Sequence, residues 1–102
     1  MPARVLQINF KTNVSAEEFQ KGALPIANDV ADVPGLRWKI WIVNEETSEA
    51  GGLYLFDDQA SVEAYLEGPI VADLKSKPPV IDISFKQFNV VDENTAITRG
   101  PV

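Results

Sequence analysis

The 102-residue sequence contains no cysteine and no histidine. The absence of cysteine excludes disulfide bonds, thiolate zinc sites and cysteine nucleophiles. The absence of histidine excludes Ser-His-Asp triads, imidazole ligation of haem and the side chain that most often moves protons near neutral pH. Carboxylate oxygens remain as ligands for Mg²⁺ or Ca²⁺, but no spaced Asp/Asn loop of the EF-hand kind is present. We therefore predict no metal site.

Basic residues and long apolar runs are also scarce. Nine Lys and Arg stand against fifteen Asp and Glu, which gives a net charge of −6, and no basic cluster is longer than Lys75-Ser76-Lys77. This balance argues against nucleic acid and anionic membranes as partners. No run of about 18 apolar residues is present to span a bilayer, and Met1-Pro2-Ala3-Arg4 lacks the apolar segment of a signal peptide. We expect a soluble, cytoplasmic protein.

The residues that are abundant are those of a globular core. Apolar residues make up 45% of the chain and aromatic residues 9%, which is typical of a folded domain. The length fits one domain. We predict a single domain over residues 1–102, with an ordered core over about residues 4–91 and a polar tail over 92–102.

The first third of the chain predicts a strand followed by a helix. Residues 5–10 alternate between apolar and polar side chains, as a half-buried strand does. Ser15 and Glu18 form a capping box at the start of a helix. Pro25 lies inside that helix and predicts a kink or two shorter helices, because proline lacks the N–H and crowds the preceding turn. Residues 34–35, Pro-Gly, end the element.

The next segment predicts a hairpin whose strands are apolar on both faces. A long strand over residues 36–43 is followed by a polar acidic loop and by a second strand over 53–56. Residues of the first strand divide by parity, with Leu36, Trp38, Ile40 and Ile42 on one face and Trp41 and Val43 on the other. Gly51-Gly52 is too short to hold a phosphate and is interpreted as a close backbone approach or a bulge.

The rest of the chain predicts two helices and a final strand. Asp57 or Asp58 caps a helix that Gly68 ends in the left-handed conformation. Pro69 begins a short helix that runs through residue 74. A last strand covers residues 80–91, and its apolar residues change parity within the run. Since a strand has a period of two, this change predicts a bulge near Lys86-Gln87.

The element order βαββαβ predicts the α+β class, a ferredoxin-like sandwich with a four-stranded antiparallel sheet and helices on one face. The second face then needs a cover, because Trp41, Val43 and half of the Tyr54–Phe56 pair would otherwise form an exposed apolar patch. A second copy of the same sheet is the simplest cover, and two-fold homodimers are the commonest assembly. We therefore expect a homodimer.

Two groups of side chains are candidates for a site. Aromatic rings recur in the central part of the sequence, at Trp38, Trp41, Tyr54, Phe56 and Tyr65. They form either core packing or a flat slot for an aromatic ligand. Gln7 and Asn9 share one face of the first strand, which this fold covers on both sides, and buried amides need hydrogen-bond partners. Their presence indicates a cavity that holds water or ligand, or a polar dimer contact.

The central hairpin resembles a known family. The similarity lies in strand one, Leu6-Gln7-Ile8-Asn9-Phe10, and in Pro34-Gly35-Leu36-Arg37-Trp38-Lys39-Ile40-Trp41, Glu49-Ala50-Gly51-Gly52-Leu53-Tyr54-Leu55-Phe56 and Ser61 with Ala64-Tyr65-Leu66-Glu67. These segments resemble the YdhR-type monooxygenases of the dimeric α+β barrel superfamily. Members of that superfamily include cofactor-independent quinol and polyketide oxygenases.

The resemblance implies a monooxygenase without metal or flavin that uses molecular oxygen to oxidise a small electron-rich aromatic, such as a phenol or a quinol. In that interpretation Trp38 or Trp41 forms a stacking wall, and Tyr54 donates a hydrogen bond to the phenolate. Gln7 and Asn9 hold the oxygen-bearing group. Phe56 and Tyr65 complete the slot. The proton goes to water, to a carboxylate such as Glu49, or to the substrate. The alternatives are a non-catalytic module that binds an aromatic or quinone, and a purely structural dimer.

Overall fold

A computed structural model describes residues 2–102 of the chain. The strands are β1 (Arg4–Lys11), β2 (Leu36–Asn44), β3 (Glu49–Phe56) and β4 (Ile81–Asn89). The helices are α1 (Ala16–Ala31), α2 (Gln59–Leu66), α3 (Pro69–Ser76) and α4 (Asp92–Ile97). Among the described residues, no helix is both long enough and apolar enough to cross a bilayer.

The strands form one antiparallel sheet in the order β2-β3-β1-β4. β2 and β3 are a hairpin, and β1 lies in the centre between β3 and β4. The first three helices cover one side, where side chains from all three pack on the sheet. The prediction of a ferredoxin-like α+β sandwich is confirmed.

Register assigns each strand residue to one of two faces. Leu6 and Ile8 of β1 are opposite Tyr54 and Gly52 of β3, and Leu6, Ile8 and Tyr54 belong to the core that the helices cover. We call this side of the sheet the helix face. The opposite side, the open face, carries Val5, Gln7, Asn9, Trp38, Ile40, Ile42, Leu53, Leu55, Ser84, Lys86 and Phe88.

The two tryptophans lie on different faces, as the parity of β2 predicts. Trp41 is opposite Gly52 and lies on the helix face, whereas Trp38 is opposite Leu55 and lies on the open face. The prediction that Leu36 shares the face of Trp38 is wrong. Arg37 is an extra residue in the β2–β3 ladder, and this bulge places Leu36 against the core.

The expectation about which side of the sheet needs a cover is also corrected. Trp41 packs against the helix-covered core instead of facing outward. The uncovered apolar residues belong to the open face, where Ile40 is 50% exposed and Phe88 is 48% exposed. The apolar side chains that need a cover are therefore Ile40, Phe88 and their neighbours on the open face, and not Trp41.

The bulge in β4 lies elsewhere than predicted. Ile81 is opposite Lys11 and Ser84 is opposite Asn9, so two β4 residues, Asp82 and Ile83, face the single residue between them. Asp82 has a φ of 53°, which turns the strand at this point. Pairing is regular from residue 84 to residue 89, so the bulge predicted near Lys86-Gln87 is wrong. The change of parity there places Phe88 on the open face.

Helix boundaries follow their local signals with two exceptions. The Ser15–Glu18 capping box is present, and Asp58 caps α2 by accepting the N–H of Ser61 at 2.9 Å. α1 is one helix that contains Pro25, so the alternative of two shorter helices is wrong. Gly68 has a φ of −86° and serves as the N-cap of α3, so its predicted left-handed conformation is wrong as well.

The C-terminal segment is more ordered than its polar composition predicts. Residues 92–97 form α4, a helix that the sequence did not reveal. After it, the carbonyl of Pro101 accepts a hydrogen bond from Nε1 of Trp38 at 2.8 Å. This contact ties the end of the chain to the open face of β2.

Candidate functional site

A groove runs between α1 and the edge strand β2. Its larger part has a volume of about 330 Å³. The lining side chains are mostly apolar and comprise Ala16, Phe19, Gln20, Ala23, Leu24, Ala27, Trp41 and Val43. Alanines spaced along one side of α1 keep that helix surface small, which leaves room beside the Trp41 indole.

The groove continues past Trp41 into a second depression of about 190 Å³. Both parts share Ala27 and Trp41. The second part is lined in addition by Lys39 and Arg37 of β2, by the neighbouring Trp38 and Leu36, and by Val30 and Ala31 of α1. An apolar chamber is thus joined, at Trp41, to a chamber that contains an amine.

Lys39 lies against two aromatic rings on the helix face. Its Nζ is 3.3 Å from the centre of the Trp41 ring and 4.6 Å from that of Tyr54. The stem of Lys39 passes over Gly52, where an added Cβ would lie 2.6 Å from the Lys39 Cε. The missing side chain of Gly52 therefore makes the space that the lysine fills.

Burial determines the electrostatics of this lysine. The pKa of Lys39 is lowered from 10.5 to about 7 because burial penalises the charged form. Among residues 2–102, no carboxylate forms an ion pair with it. Arg37, two residues earlier, is paired with Asp57 at 2.7 Å. The ammonium form makes cation–π contacts with Trp41 and Tyr54.

Three of the predicted site residues form an aromatic cluster behind Lys39. The ring of Tyr54 lies 5.4 Å from that of Tyr65 and 6.1 Å from that of Phe56. The Tyr65 hydroxyl donates to the Tyr54 oxygen at 3.3 Å. Burial raises the pKa of Tyr54, and its proximity to Tyr65 raises it further. Burial also raises the pKa of Tyr65, so both phenols keep their protons near neutral pH.

The other predicted residues lie across the sheet. Gln7 and Asn9 are on the open face, where the Gln7 amide donates to the Asn9 Oδ1 at 3.1 Å. Tyr54 is on the helix face and is only 2% exposed. The expectation that one slot contains both the amides and Tyr54 is corrected, because the β1–β3 register puts them on opposite sides. Trp38 lies on the open face and also lines the rim of the smaller depression.

Sequence reasoning missed Lys39. The available signal was the alternation in Trp38-Lys39-Ile40-Trp41, which puts Lys39 on the face of Trp41. A lysine in a strand is usually solvated, and nothing in the sequence shows that α1 packs over this one. Glu49, the carboxylate considered as a proton acceptor, does not line either part of the groove. Within residues 2–102, no three acidic side chains are grouped closely enough to hold a metal ion.

Comparison with known proteins identifies the family. Residues 5–101 match the family described as "Putative mono-oxygenase ydhR". The chain belongs to this family. The resemblance seen in the central hairpin is therefore confirmed. No curated protein matches the sequence.

Solved structures share the fold at low sequence identity. A protein of unknown function from Nitrosomonas europaea is 20% identical, with 89% of this chain and 91% of that chain covered and a TM-score of 0.69. SnoaB, a cofactor-independent oxygenase from Streptomyces nogalater, is 12% identical, with 90% and 96% covered and a TM-score of 0.69. The haem degrader MhuD from Mycobacterium tuberculosis is 20% identical, with 85% and 95% covered and a TM-score of 0.65. At such identities the likeness establishes the fold alone.

Proposed function

We propose that this protein is a monooxygenase that oxidises a small electron-rich aromatic compound with molecular oxygen and without a metal or organic cofactor. The observation that carries the proposal is the groove walled by Trp41 in a chain of the mono-oxygenase family. The similarity of the fold to that of SnoaB, itself a cofactor-independent oxygenase, supports the same chemistry.

The groove has the size and lining of a site for an aromatic ring. Its larger part, at about 330 Å³, lies at the lower end of the range for small-molecule pockets, which begins near 300 Å³. The Trp41 indole offers a flat stacking surface, and Phe19 with the alanines of α1 gives the ring an apolar wall on the other side. A compact phenol, hydroquinone or anthrone-like compound is the class of ligand that fits.

In such a substrate the electrons come from the ring. The enol form of an anthrone-like compound loses its hydroxyl proton and gives one electron to O₂, after which the radical pair forms a carbon–oxygen bond. Loss of water from the hydroperoxide leaves a ketone, so that R₂CH₂ and O₂ become R₂C=O and H₂O. The protein stabilises the anion and excludes bulk water from the reacting carbon. Tyr54 is 2% exposed and lines neither chamber, so it is proposed to support the Lys39 amine from behind without touching the substrate.

We assign the open face to a second copy of the chain. Ile40 and Phe88 are half exposed there, on the two edge strands of the sheet, and a second sheet packed across this face would cover both. The hydrogen-bonded Gln7–Asn9 pair lies in the same surface and is proposed as its polar contact. Sedimentation at micromolar concentration tests this assignment. A two-chain species supports it, and a folded single chain overturns it.

The function is tested with ligand and oxygen together. Anthrone-like and hydroquinone compounds are titrated against tryptophan fluorescence, and oxygen uptake is recorded with an oxygen electrode. Saturable quenching with uptake above the protein-free rate supports the proposal. Saturable quenching without uptake overturns the enzyme assignment in favour of a module that only binds aromatics. Trp41→Ala should abolish both signals, whereas Phe88→Ala, which removes a ring from the open face, should retain both.

A further inference from the structure

We propose that Lys39 is the base of this site, whose Nζ accepts the hydroxyl proton of the aromatic substrate and then holds the phenolate by its charge. The proposal rests on the proposed function for the place of the ligand. The proton transfer is balanced within the pair, because ArOH and the lysine amine become ArO⁻ and the lysine ammonium. Electrons leave the anion for O₂ only afterwards.

The position of Lys39 follows from the course of the groove. Trp41 borders both chambers, and the Lys39 Nζ lies 3.3 Å from the centre of its ring. Lys39 lines the smaller chamber, so a ring in the apolar chamber would reach the amine through a hydroxyl substituent that extends past Trp41 into the smaller chamber. Gly52 keeps this arrangement open, because any side chain at that position would collide with the lysine stem.

Among the described residues that line the groove, Lys39 is the one whose side chain can take a proton. Of the residues that line the two chambers, Arg37 and Lys39 are ionisable. Arg37 is always charged and is bound to Asp57. The titratable groups that face Lys39 from neighbouring elements are Tyr54 of β3 and, behind it, Tyr65 of α2, and both keep their protons. α1 contributes apolar side chains to the smaller chamber.

The protonation of Lys39 fits this role. Since its pKa is about 7, a large fraction of the amine is neutral at physiological pH and can act as a base. An ordinary phenol has a pKa of about 10, so transfer to an amine of pKa about 7 is favourable only for substrates whose hydroxyl has a pKa near 7 or below. Within the electron-rich aromatics of the proposed function, the inference thus narrows the substrate class to compounds with an acidified hydroxyl, such as hydroxylated anthrones.

The direct test uses para-nitrophenol, whose anion is yellow and which is not itself oxidised. Its ionisation is measured by absorbance when bound to wild type, Lys39→Met and a matched control, Lys75→Met. The Lys75 amine lies 5.4 Å from the centre of the Phe85 ring, but the residue lines neither chamber. Wild type and Lys75→Met should lower the pKa of the bound phenol by about one unit or more, the effect of a cation within contact distance. Lys39→Met should bind the probe without that shift. An equal shift in Lys39→Met overturns the proposal.

Rate measurements separate this proposal from the function on which it rests. Lys39→Arg keeps the charge and removes the base, so oxygen uptake with an anthrone-like substrate should fall about a hundredfold or more while the probe shift persists. Unchanged uptake in Lys39→Met and Lys39→Arg overturns the lysine as base and leaves the oxygenase assignment intact. If wild type shows no oxygen uptake but a lysine-dependent shift in the pKa of the probe, the oxygenase assignment is overturned and Lys39 is supported as a phenolate-binding group.

Gly52→Ala offers a second test, because the added methyl group displaces the lysine stem. This variant should lose the shift in the pKa of para-nitrophenol although the amine is still present.

Discussion

The Nζ of Lys39 lies 3.3 Å from the centre of the Trp41 indole, on the side of the sheet that the helices cover. Two neighbouring features make this contact. Gly52 leaves the space through which the lysine stem passes, and the bulge at Arg37 turns that residue toward Asp57 at the surface. An amine that would usually be solvated is thereby kept in the wall of the groove.

Replacement of Lys39 should change how stability depends on pH. The pKa of Lys39 falls from 10.5 to about 7 on folding, so between these values the unfolded chain binds more protons than the folded one. Wild-type stability should therefore rise with pH across this window. Lys39→Met lacks this buried amine, so its free energy of unfolding should not show the same rise with pH. The free energy by which the variant exceeds wild type should therefore be greatest below about pH 7 and should shrink as pH rises. Urea unfolding over this range measures both proteins, and parallel profiles would contradict the lowered pKa.

The Tyr65 hydroxyl should contribute modestly to stability. Tyr65→Phe keeps the ring in the cluster and removes the hydrogen bond to the Tyr54 oxygen. Because that pair is buried, the free energy of unfolding should fall by about 1 kcal/mol. Chemical denaturation gives the value. A variant as stable as wild type would show that the hydrogen bond between the two hydroxyls does not stabilise the fold.

Replacement by alanine should destabilise the fold at Gly51 and stabilise it at Gly22. An added Cβ at Gly51 would lie 1.9 Å from the carbonyl oxygen of Ile8 in the central strand, so Gly51→Ala should separate β1 from β3 and sharply lower the yield of folded protein. Gly22 is exposed in α1 with no atom within 4 Å of such a Cβ. Gly22→Ala should therefore stabilise the helix by about 0.5–1 kcal/mol. Thermal melts compare them, and a melting temperature for Gly51→Ala equal to that of wild type would contradict the close approach.

The indole N–H of Trp38 should anchor the end of the chain. Trp38→Phe keeps an apolar ring and removes the donor to the Pro101 carbonyl. The segment after α4 should then open more often, because local opening follows the loss of its contacts. Limited trypsin digestion at Arg99, followed by mass spectrometry, should show faster cleavage than in wild type. Equal cleavage would mean that other contacts hold the segment.

The fold was predictable because its local signals agree with one another. Alternation defined β1, the Ser15–Glu18 box began α1, and parity correctly separated Trp38 from Trp41. Bulges were harder to place. The extra residues at Arg37 and at Asp82–Ile83 depend on the pairing between strands, which no single strand reveals.

The candidate site was predictable only in part. Aromatic composition indicated the cluster of Tyr54, Phe56 and Tyr65, which the structure brings together. It could not show that Asn9 faces away from Tyr54, because that depends on the register of two strands distant in sequence. Nor could it show that Lys39 is covered, since burial of this edge strand comes from the packing of α1 across it.

The central claim is that an aromatic substrate is oxidised in the groove beside Trp41. Incubation of an anthrone-like substrate under ¹⁸O₂, with mass spectrometry of the ketone, tests it most directly. Wild type should place one labelled oxygen atom in the product faster than the protein-free reaction does, and Trp41→Ala should not exceed that background. Unlabelled product, or equal labelling by Trp41→Ala and wild type, would contradict the claim.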